Sequence, residues 1–170
     1  GREMDVTKAV QTQRTIRAFK PEAVPEVTIR EVIELAKLAP SNGNTQPWHI
    51  VVVSGDAKEQ LKAAIRKEIE EGIKPYPVFP PGGSGLKGVY KDRQRACGFK
   101  YYASMDVDRA DGPGREALMM RNYDFFGAPH AAFLSYPGTM NRANAIDMGI
   151  FLQNLLLLFV ERGIQGCPQG

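Results

Sequence analysis

The alternation of apolar and polar positions predicts that this chain is built mainly from helices. The clearest pattern covers residues 28–39, where apolar side chains recur at helical spacing, Thr28 and Glu31 have the spacing of a capping box, and Pro40 ends the run. The last apolar run, residues 144–163, is apolar on nearly every face and predicts a long central helix. Further helices are predicted at residues 4–13, 56–71, 90–105 and 114–126.

Two short apolar runs predict buried strands. They are His49–Ser54, which reads HIVVVS, and residues 130–137, which read HAAFLSYP. Residues 72–88 are rich in proline and glycine and predict a long loop. Because helices outnumber strands and do not alternate with them regularly, the sequence predicts an α+β fold, with residues 1–170 forming one domain without internal repeats.

The composition is that of one soluble globular domain. The 170 residues are 43% hydrophobic and 24% charged, which is enough apolar material for a core. The net charge of +3 suits an anionic small molecule and is too weak and scattered to predict nucleic acid as a partner. Cys97 and Cys167 lie in no CxxC pair or histidine-rich cluster, so we expect a cytoplasmic protein without disulfides or structural zinc.

The two ends of the chain carry separate information. The opening GREMDVTKAV lacks the apolar core of a signal peptide. The apolar run IFLQNLLLLFV contains Gln153 and Asn154 and is shorter than the roughly 20 apolar residues that span a bilayer, so no membrane association is expected. The chain stops in the loop GIQGCPQG directly after a buried-looking helix, and we therefore expect the natural protein to have a further C-terminal segment.

Familiar short motifs are weak or absent in the sequence. GSGLKG, residues 83–88, fits the dinucleotide pattern GxGxxG, but PVFPP precedes it where a strand is required, so we interpret the match as accidental. The chain has no GxxxxGK[ST], GxSxG or HExxH motif. His49 and His130 each begin a predicted strand and are interpreted as structural residues rather than catalytic bases.

Three separated segments carry the candidate chemistry. In the first, the arginine motif of residues 13–19 (QRTIRAF), Arg14 and Arg17 flank Thr15; this suits a phosphate or another delocalised anion, and a solvated basic helix end is the alternative. In the second, the amide loop of residues 39–48 (APSNGNTQPW), Asn and Gln side chains suit the edge of a planar heterocycle. The alternative there is a turn that satisfies its own backbone.

The third segment, the glycine loop of residues 162–170 (RGIQGCPQG), follows the last helix. Gly163, Gly166 and Gly170 allow backbone N–H groups to approach a ligand closely, while Gly163 also fits an ordinary helix C-cap. No Ser-His-Asp set, carboxylate pair or metal-binding cluster accompanies the three segments in the sequence. Binding groups without an acid or a nucleophile indicate a cofactor that performs the chemistry itself.

These three segments, in this order, resemble the FMN-dependent nitroreductase family. The likeness spans residues 10–170, and the stretches RNYDFFGAPHAAFLSY and CPQ are most similar to the branch that reduces nitrobenzoate and other nitroaromatics. The resemblance implies a mixed sheet surrounded by helices, with the long central helix at or near the interface of a homodimer. Members of the family continue beyond the glycine loop, which is a second reason to expect a further C-terminal segment.

The resemblance also implies which residues bind FMN. Arg17 is expected near the flavin pyrimidine ring, and Arg14 and Thr15 towards the ribityl phosphate; many members have another arginine where this chain has Gln13. The remaining expected contacts are Pro40, Ser41, Asn42, Asn44 and Gln46 of the amide loop and Pro168, Gln169 and Gly170 of the glycine loop. Trp48 is interpreted as packing that anchors the amide loop, and not as a partner that stacks on the flavin.

The implied activity is a two-step oxidoreductase reaction. NADH or NADPH passes hydride to flavin N5, and a nitroaromatic, a quinone or a similar small-molecule acceptor then receives it, so no residue is assigned as catalytic. The loop at residues 72–88, with Tyr76 and Phe79, is a candidate wall or lid of the acceptor pocket. Two alternatives remain: a flavin enzyme of the same fold with other chemistry, such as reductive dehalogenation, and a non-catalytic FMN-binding protein.

Overall fold

A computed structural model of the chain describes residues 4–77 and 83–170. By their contacts these residues form two compact units, one of Gly1–Glu59 with Gly127–Pro168 and one of Gln60–Phe126 with Gln169–Gly170. The elements are the helices α1 (Val6–Thr12), α2 (Glu26–Ala36), α3 (Gly55–Glu70), α4 (Gly88–Ser104), α5 (Gly112–Met120) and α6 (Arg142–Glu161), and the strands β1 (His49–Ser54) and β2 (His130–Ser135). Single 3₁₀ turns lie at Asn42–Asn44 and Phe125–Gly127.

Helix α2 begins earlier than the sequence predicts. Pro25 is the residue that precedes it, and Thr28, the expected N-cap, lies in its first turn, where its N–H donates to the Pro25 carbonyl at 3.0 Å. Pro25 supplies no side-chain cap, and its carbonyl accepts the first backbone bonds of the helix, from Thr28 and Ile29. The predicted capping box of Thr28 and Glu31 is therefore wrong, and the helix ends at Ala36 rather than at residue 39.

The other predicted helices and β2 are present with shifted ends, and β1 has the predicted bounds. The prediction that the two strands are buried is wrong, since every residue of β1 and β2 is partly or fully exposed. Helix α5 stops at Met120 and does not reach residue 126, because Phe125 and Phe126 both have a φ of 52°, a left-handed conformation that interrupts a right-handed helix. Helix α3 starts at Gly55, so that Asp56 lies in its first turn instead of capping it. Strand β2 ends at Ser135, two residues before the predicted end.

The two strands pair antiparallel in the first unit. Val51 lies opposite Phe133, and Ser54 lies opposite His130. Within residues 4–77 and 83–170 the sheet has these two strands, and a parallel component is present as one isolated bridge between Thr15 and Gly166. The predicted α+β class is confirmed by this arrangement of helices and strands.

Helix α6 forms the centre of the hydrophobic core of the first unit. Phe151 is fully buried and packs with side chains of α2 and of the amide loop. The buried members of this cluster are Val32, Ala36, Ala39, Trp48, Phe151 and Leu155. By length and composition alone the 20 residues of α6 would suffice to cross a membrane. The run IFLQNLLLLFV, whose length was compared with a membrane span in the sequence, covers only part of this helix. The prediction of a long helix in the core is confirmed.

The second unit contains α4, α5 and most of α3. The Arg66 guanidinium of α3 binds the Asp124 carboxylate, with Nε 3.0 Å and Nη2 2.7 Å from Oδ1. Asp124 directly precedes the left-handed residues Phe125 and Phe126, so this ion pair attaches the turn after α5 to α3.

Candidate functional site

The amide loop has an unusual backbone conformation. Gly43, Asn44 and Gln46 have φ angles of 59°, 54° and 48°. Glycine adopts such angles freely and asparagine tolerates them, whereas for glutamine they are uncommon. A residue held there costs on the order of 1–3 kcal/mol and persists only where its surroundings hold it. Such strain is concentrated at functional sites, so the contacts that hold this loop bear on its function.

Several polar groups of the amide loop form hydrogen bonds with other groups of the same loop. The Gln46 N–H donates to Ser41 Oγ at 2.9 Å, and Gln46 Nε2 donates to Asn44 Oδ1 at 3.1 Å. Thr45 Oγ1 donates to the Asn42 carbonyl at 3.0 Å. The interpretation as a self-satisfied turn is thus partly correct. The side chains of Asn42, Asn44 and Gln46 are nevertheless exposed, and the internal bonds orient them rather than bury them.

Helix α6 holds the beginning of the amide loop. The Asn42 N–H donates to Asp147 Oδ1 at 3.0 Å, and Asn144 Nδ2 donates to Asp147 Oδ2 at 3.3 Å. Asp147 is 4% exposed and Asn144 is 8% exposed, so this polar pair lies in the protein interior. Asn144 is fixed in turn by the Asn141 N–H, which donates to its Oδ1 at 3.2 Å as part of the capping box of α6.

Helix α6 also holds the end of the amide loop. Pro47 is fully buried, and the Trp48 ring stacks on the Phe151 ring with centroids 5.1 Å apart and planes 8° from parallel. Trp48 therefore packs in the core as predicted. Phe151 lies one helical turn after Asp147, so the same face of α6 contacts both ends of the loop.

The arginine motif and the glycine loop are adjacent in the structure. Thr15 and Gly166 form a parallel bridge, and the Ile16 N–H donates to the Gly166 carbonyl at 3.2 Å. A Cβ atom added at Gly166 would lie 3.1 Å from Leu156 Cδ2 of α6, so a larger residue would be crowded there. Two segments that are far apart in the sequence thus form one strand-like contact beside α6.

Gly163 ends helix α6 as an ordinary C-cap. It has a φ of 72°, its N–H donates to the Val160 carbonyl at 3.0 Å, and the Ile164 N–H donates to the Phe159 carbonyl at 2.9 Å. These two bonds are those of a Schellman motif. The C-cap interpretation is therefore correct for Gly163, and Gly166 is the glycine that allows close approach.

Arg17 acts electrostatically on the glycine loop. Burial raises the pKa of the Cys167 thiol, and the positive charge of Arg17 lowers that pKa as the smaller effect. The Arg17 charge is therefore felt at Cys167, next to Gly166. Arg14, by contrast, is exposed, and its Nη1 donates to the Gln13 carbonyl at 2.6 Å.

The last three candidate residues are all exposed. Pro168 belongs to the first unit, whereas Gln169 and Gly170 group with the second. There Gln169 Nε2 donates to the carbonyl of Asn122 at 3.1 Å and to its Oδ1 at 3.2 Å. Asn122 follows α5 and was not singled out in the sequence.

His130 has a structural role. Its Nε2 accepts the Val24 N–H at 2.8 Å, so that nitrogen carries no proton, and Nδ1 is hydrogen-bonded to Ser54 Oγ across the strand pair. Burial and the nearby Lys58 charge lower the pKa of His130. The neutral ring joins β1, β2 and the segment before α2, which agrees with its interpretation as a structural residue.

The predicted loop after α3 is described in part. Tyr76 is exposed, and neither residues 72–77 nor residues 83–87 form a helix or a strand. Phe79 and most of the PVFPP stretch lie outside the described residues. Residues 83–85 form a turn and α4 begins at Gly88, so the GxGxxG match spans a turn and the residues leading into that helix.

Sequence reasoning missed the residues that position the amide loop. Asp147 and Asn144 lie in the first turns of a helix that reads as an apolar core helix, and no motif in the sequence assigns them a role. The available signal was their spacing of three, which places both on the face that carries Phe151. Two hydrogen-bonding side chains on the buried face of a helix require partners in the interior.

Comparisons with known proteins identify the family of the chain. The nitroreductase family description matches residues 10–170. Nitroreductase NfnB of Mycolicibacterium smegmatis is 38% identical over 99% of this chain and 74% of its own length. The 4-nitrobenzoate reductase of Pseudomonas putida is 35% identical over 97% of this chain and 72% of its own length.

A solved structure of a nitroreductase has the same fold as this chain. The FMN-dependent nitroreductase NfnB from Mycobacterium smegmatis in complex with NADPH superimposes with a TM-score of 0.90 at 38% identity, over 97% of this chain and 76% of the other. The family match covers all three candidate segments and α6. This chain belongs to the nitroreductase family.

Proposed function

We propose that this protein is an FMN-dependent oxidoreductase that uses NADH or NADPH to reduce nitroaromatics or quinones. The observation that carries the proposal is the amide loop, whose exposed amides are held in a strained conformation by α6 at both ends. Family membership supplies the cofactor and reaction class, since relatives that match nearly the whole chain include a nitroreductase and a 4-nitrobenzoate reductase.

The residues present fit FMN by their chemistry. The exposed side chains of Asn42, Asn44 and Gln46 donate and accept hydrogen bonds, as the polar edge of a flavin ring requires. Arg14, Thr15 and Arg17 supply cations and a hydroxyl for a phosphate and for negative charge on the ring. The residues that would hold FMN are Arg14, Thr15, Arg17, Pro40, Ser41, Asn42, Asn44, Gln46, Pro168, Gln169 and Gly170.

The chain contributes binding, orientation and charge to the reaction. Bound FMN would supply the hydride-transfer chemistry between the nicotinamide and the acceptor. Arg17 stabilises negative charge beside the glycine loop, where its field already acts on the Cys167 thiol. The bridge between Thr15 and Gly166 holds the arginine motif against the backbone of that loop. Protons are supplied by solvent, so the site needs no dedicated acid.

A reduction assay separates this function from its alternatives. The purified protein should bind FMN and show flavin absorbance; NADPH or NADH should bleach it without oxygen, and 4-nitrobenzoate should restore the colour. Protein that never takes up FMN would contradict the proposal. Binding without bleaching would indicate a non-catalytic FMN-binding protein, and bleaching followed by dehalogenation of a halophenol, but not nitro reduction, would favour the dehalogenase alternative.

A homodimer in the cytoplasm completes the proposal. Ile146 on α6 is 67% exposed, and Ile150, one turn further, is also partly exposed. Val6 and Val10 of α1, a helix that contacts α6, are exposed as well. An apolar surface built from two neighbouring helices suits burial against a second copy of the chain.

A further inference from the structure

We infer that Asp147 is a positioning residue, which holds the amide loop in the conformation that presents its amides to FMN. The inference rests on the proposed function, because it takes FMN as the ligand of the loop. It assigns no contact between Asp147 and the cofactor. Asp147 acts through the backbone of Asn42, and Asn144 acts through Asp147.

Both oxygens of the Asp147 carboxylate are engaged by neutral donors. Oδ1 accepts the Asn42 N–H at 3.0 Å, and Oδ2 accepts Asn144 Nδ2 at 3.3 Å. An ionised carboxylate can only accept hydrogen bonds, and bonds to a charged acceptor are stronger than bonds between neutral groups. Because the group is 4% exposed, water cannot easily replace either donor.

The orientation of Asn144 is set by a third bond. The Asn141 N–H donates to Asn144 Oδ1 at 3.2 Å, so the Asn144 amide must direct its Nδ2 towards Asp147. The bonds therefore converge on the Asp147 carboxylate, with Asn141 and Asn144 donating in turn from the N-terminal end of α6 and the Asn42 N–H donating from the amide loop. Exchanging a donor for an acceptor at any one position breaks this network.

The amide loop needs such a hold because of its backbone strain. Gly43, Asn44 and Gln46 all have positive φ, and they lie between the Asn42 contact with Asp147 and the Trp48 stack on Phe151. If the first attachment is lost, the second remains and the loop can relax towards ordinary φ angles. The protein then stays folded while the amides lose their placement.

Exchanging the two side chains tests this chain of bonds directly. In D147N the new amide can still accept from the Asn42 N–H, but its nitrogen then faces Asn144 Nδ2, and two donors meet. We expect the Kd for FMN, measured by flavin fluorescence, to rise about thirty-fold, which corresponds to about 2 kcal/mol. In N144D two carboxylates face each other, and a similar rise is expected.

The double variant N144D/D147N should restore FMN binding. The carboxylate at position 144 accepts from the Asn141 N–H and from the amide at position 147, whose oxygen accepts from the Asn42 N–H. All three bonds are thereby rebuilt, and the Kd should return to within about threefold of wild type. A residue that only filled space would show no such rescue, because the two single variants change volume very little.

Stability and affinity must be measured separately to complete the test. Val160→Ala, which removes buried volume at the far end of α6, is the control for lost stability, and urea unfolding of the FMN-free proteins gives the comparison. D147N should lose far more FMN affinity than Val160→Ala at equal loss of stability. If D147N does not fold, Asn144→Ala takes its place in this comparison. We expect Asn144→Ala to raise the Kd for FMN three- to tenfold.

The outcomes are distinct. Wild-type protein that binds no FMN would overturn the proposed function together with this inference. Wild-type binding with unchanged affinity in D147N or, where that variant does not fold, in Asn144→Ala overturns the positioning role alone. Failure of N144D/D147N to recover affinity also overturns it. Loss in the single variants with recovery in the double variant supports it.

Discussion

Replacing Trp48 with leucine tests whether this ring supports the amide loop from the core or touches the cofactor. Trp48 is 9% exposed and stacks on Phe151 with centroids 5.1 Å apart. A buried aromatic ring removes about 150–250 Å² from water, which is worth about 4–6 kcal/mol at roughly 25 cal/mol per Å². A buried leucine retains about 1.5–3 kcal/mol of this.

The expected loss follows from the difference. Trp48→Leu should lower the free energy of unfolding by about 3–4.5 kcal/mol, the sum of about 2.5–3 kcal/mol of lost apolar burial and about 0.5–1.5 kcal/mol of lost ring stacking. Trp48→Phe keeps a stacked ring and should cost about half as much. Because globular proteins are stable by about 5–15 kcal/mol, the leucine variant should still fold. Urea unfolding of the FMN-free proteins measures all of these changes.

A double-mutant cycle isolates the stacking itself. Combining Trp48→Leu with Phe151→Leu should give a coupling energy of about 0.5–1.5 kcal/mol, because the two rings contact each other directly. Two results would refute the reasoning. A loss below about 1 kcal/mol for Trp48→Leu would mean that the ring is not part of the core. Unchanged stability with lost FMN binding would mean that Trp48 touches the cofactor.

Three further predictions concern other parts of the molecule. Arg17→Ala should raise the Kd for FMN about 10- to 150-fold, since a bond to a charged group is worth about 1.5–3 kcal/mol; Arg17→Lys should lose less, and equal binding in all three proteins would remove Arg17 from the site. The pKa of His130 is lowered in the folded protein, so its contribution to stability should be complete above about pH 6.5 and should fall as the pH drops through the lower folded value. His130→Gln should abolish that part of the pH dependence, and an unchanged profile in urea unfolding would contradict the assignment. Ile146→Glu should convert the dimer to monomer in light scattering, whereas Val27→Glu, an equally exposed position on α2, should not; a dimer that survives Ile146→Glu would exclude this face as the interface.

Local patterns in the sequence predict the helices and strands but misplace several ends. Residues 28–31 carry the letters of a capping box, yet Pro25 precedes α2 at the N-cap position, three residues earlier, and offers its carbonyl but no side-chain cap to the helix. The early end of α5 depends on two phenylalanines with positive φ, which no propensity scale favours. The second error lies beside a tertiary contact, the Arg66–Asp124 ion pair, which local preference does not encode.

The three segments of the candidate site can be predicted from the sequence, but the contacts that hold them in place cannot. The order of the three segments identified the family, and that recognition supplied the expected FMN contacts. The bridge between Thr15 and Gly166 joins residues at opposite ends of the chain, and no periodicity encodes such a contact. Asp147 was hidden for a related reason: a buried carboxylate looks like a defect in an apolar helix until its partner Asn42 is known.

The bridge between Thr15 and Gly166 has a consequence for synthesis of the protein in the cell. The arginine motif leaves the ribosome early, but its partner strand follows α6 and emerges much later. At about 5–20 residues per second, roughly 8–30 s separate the two events. Until then Arg14 and Arg17 belong to an unpaired segment, and α2 lacks the helix that covers its apolar face. A flavin-binding form of this protein therefore arises only once α6 and the glycine loop have been made, and chaperones have that interval in which to act on the exposed chain.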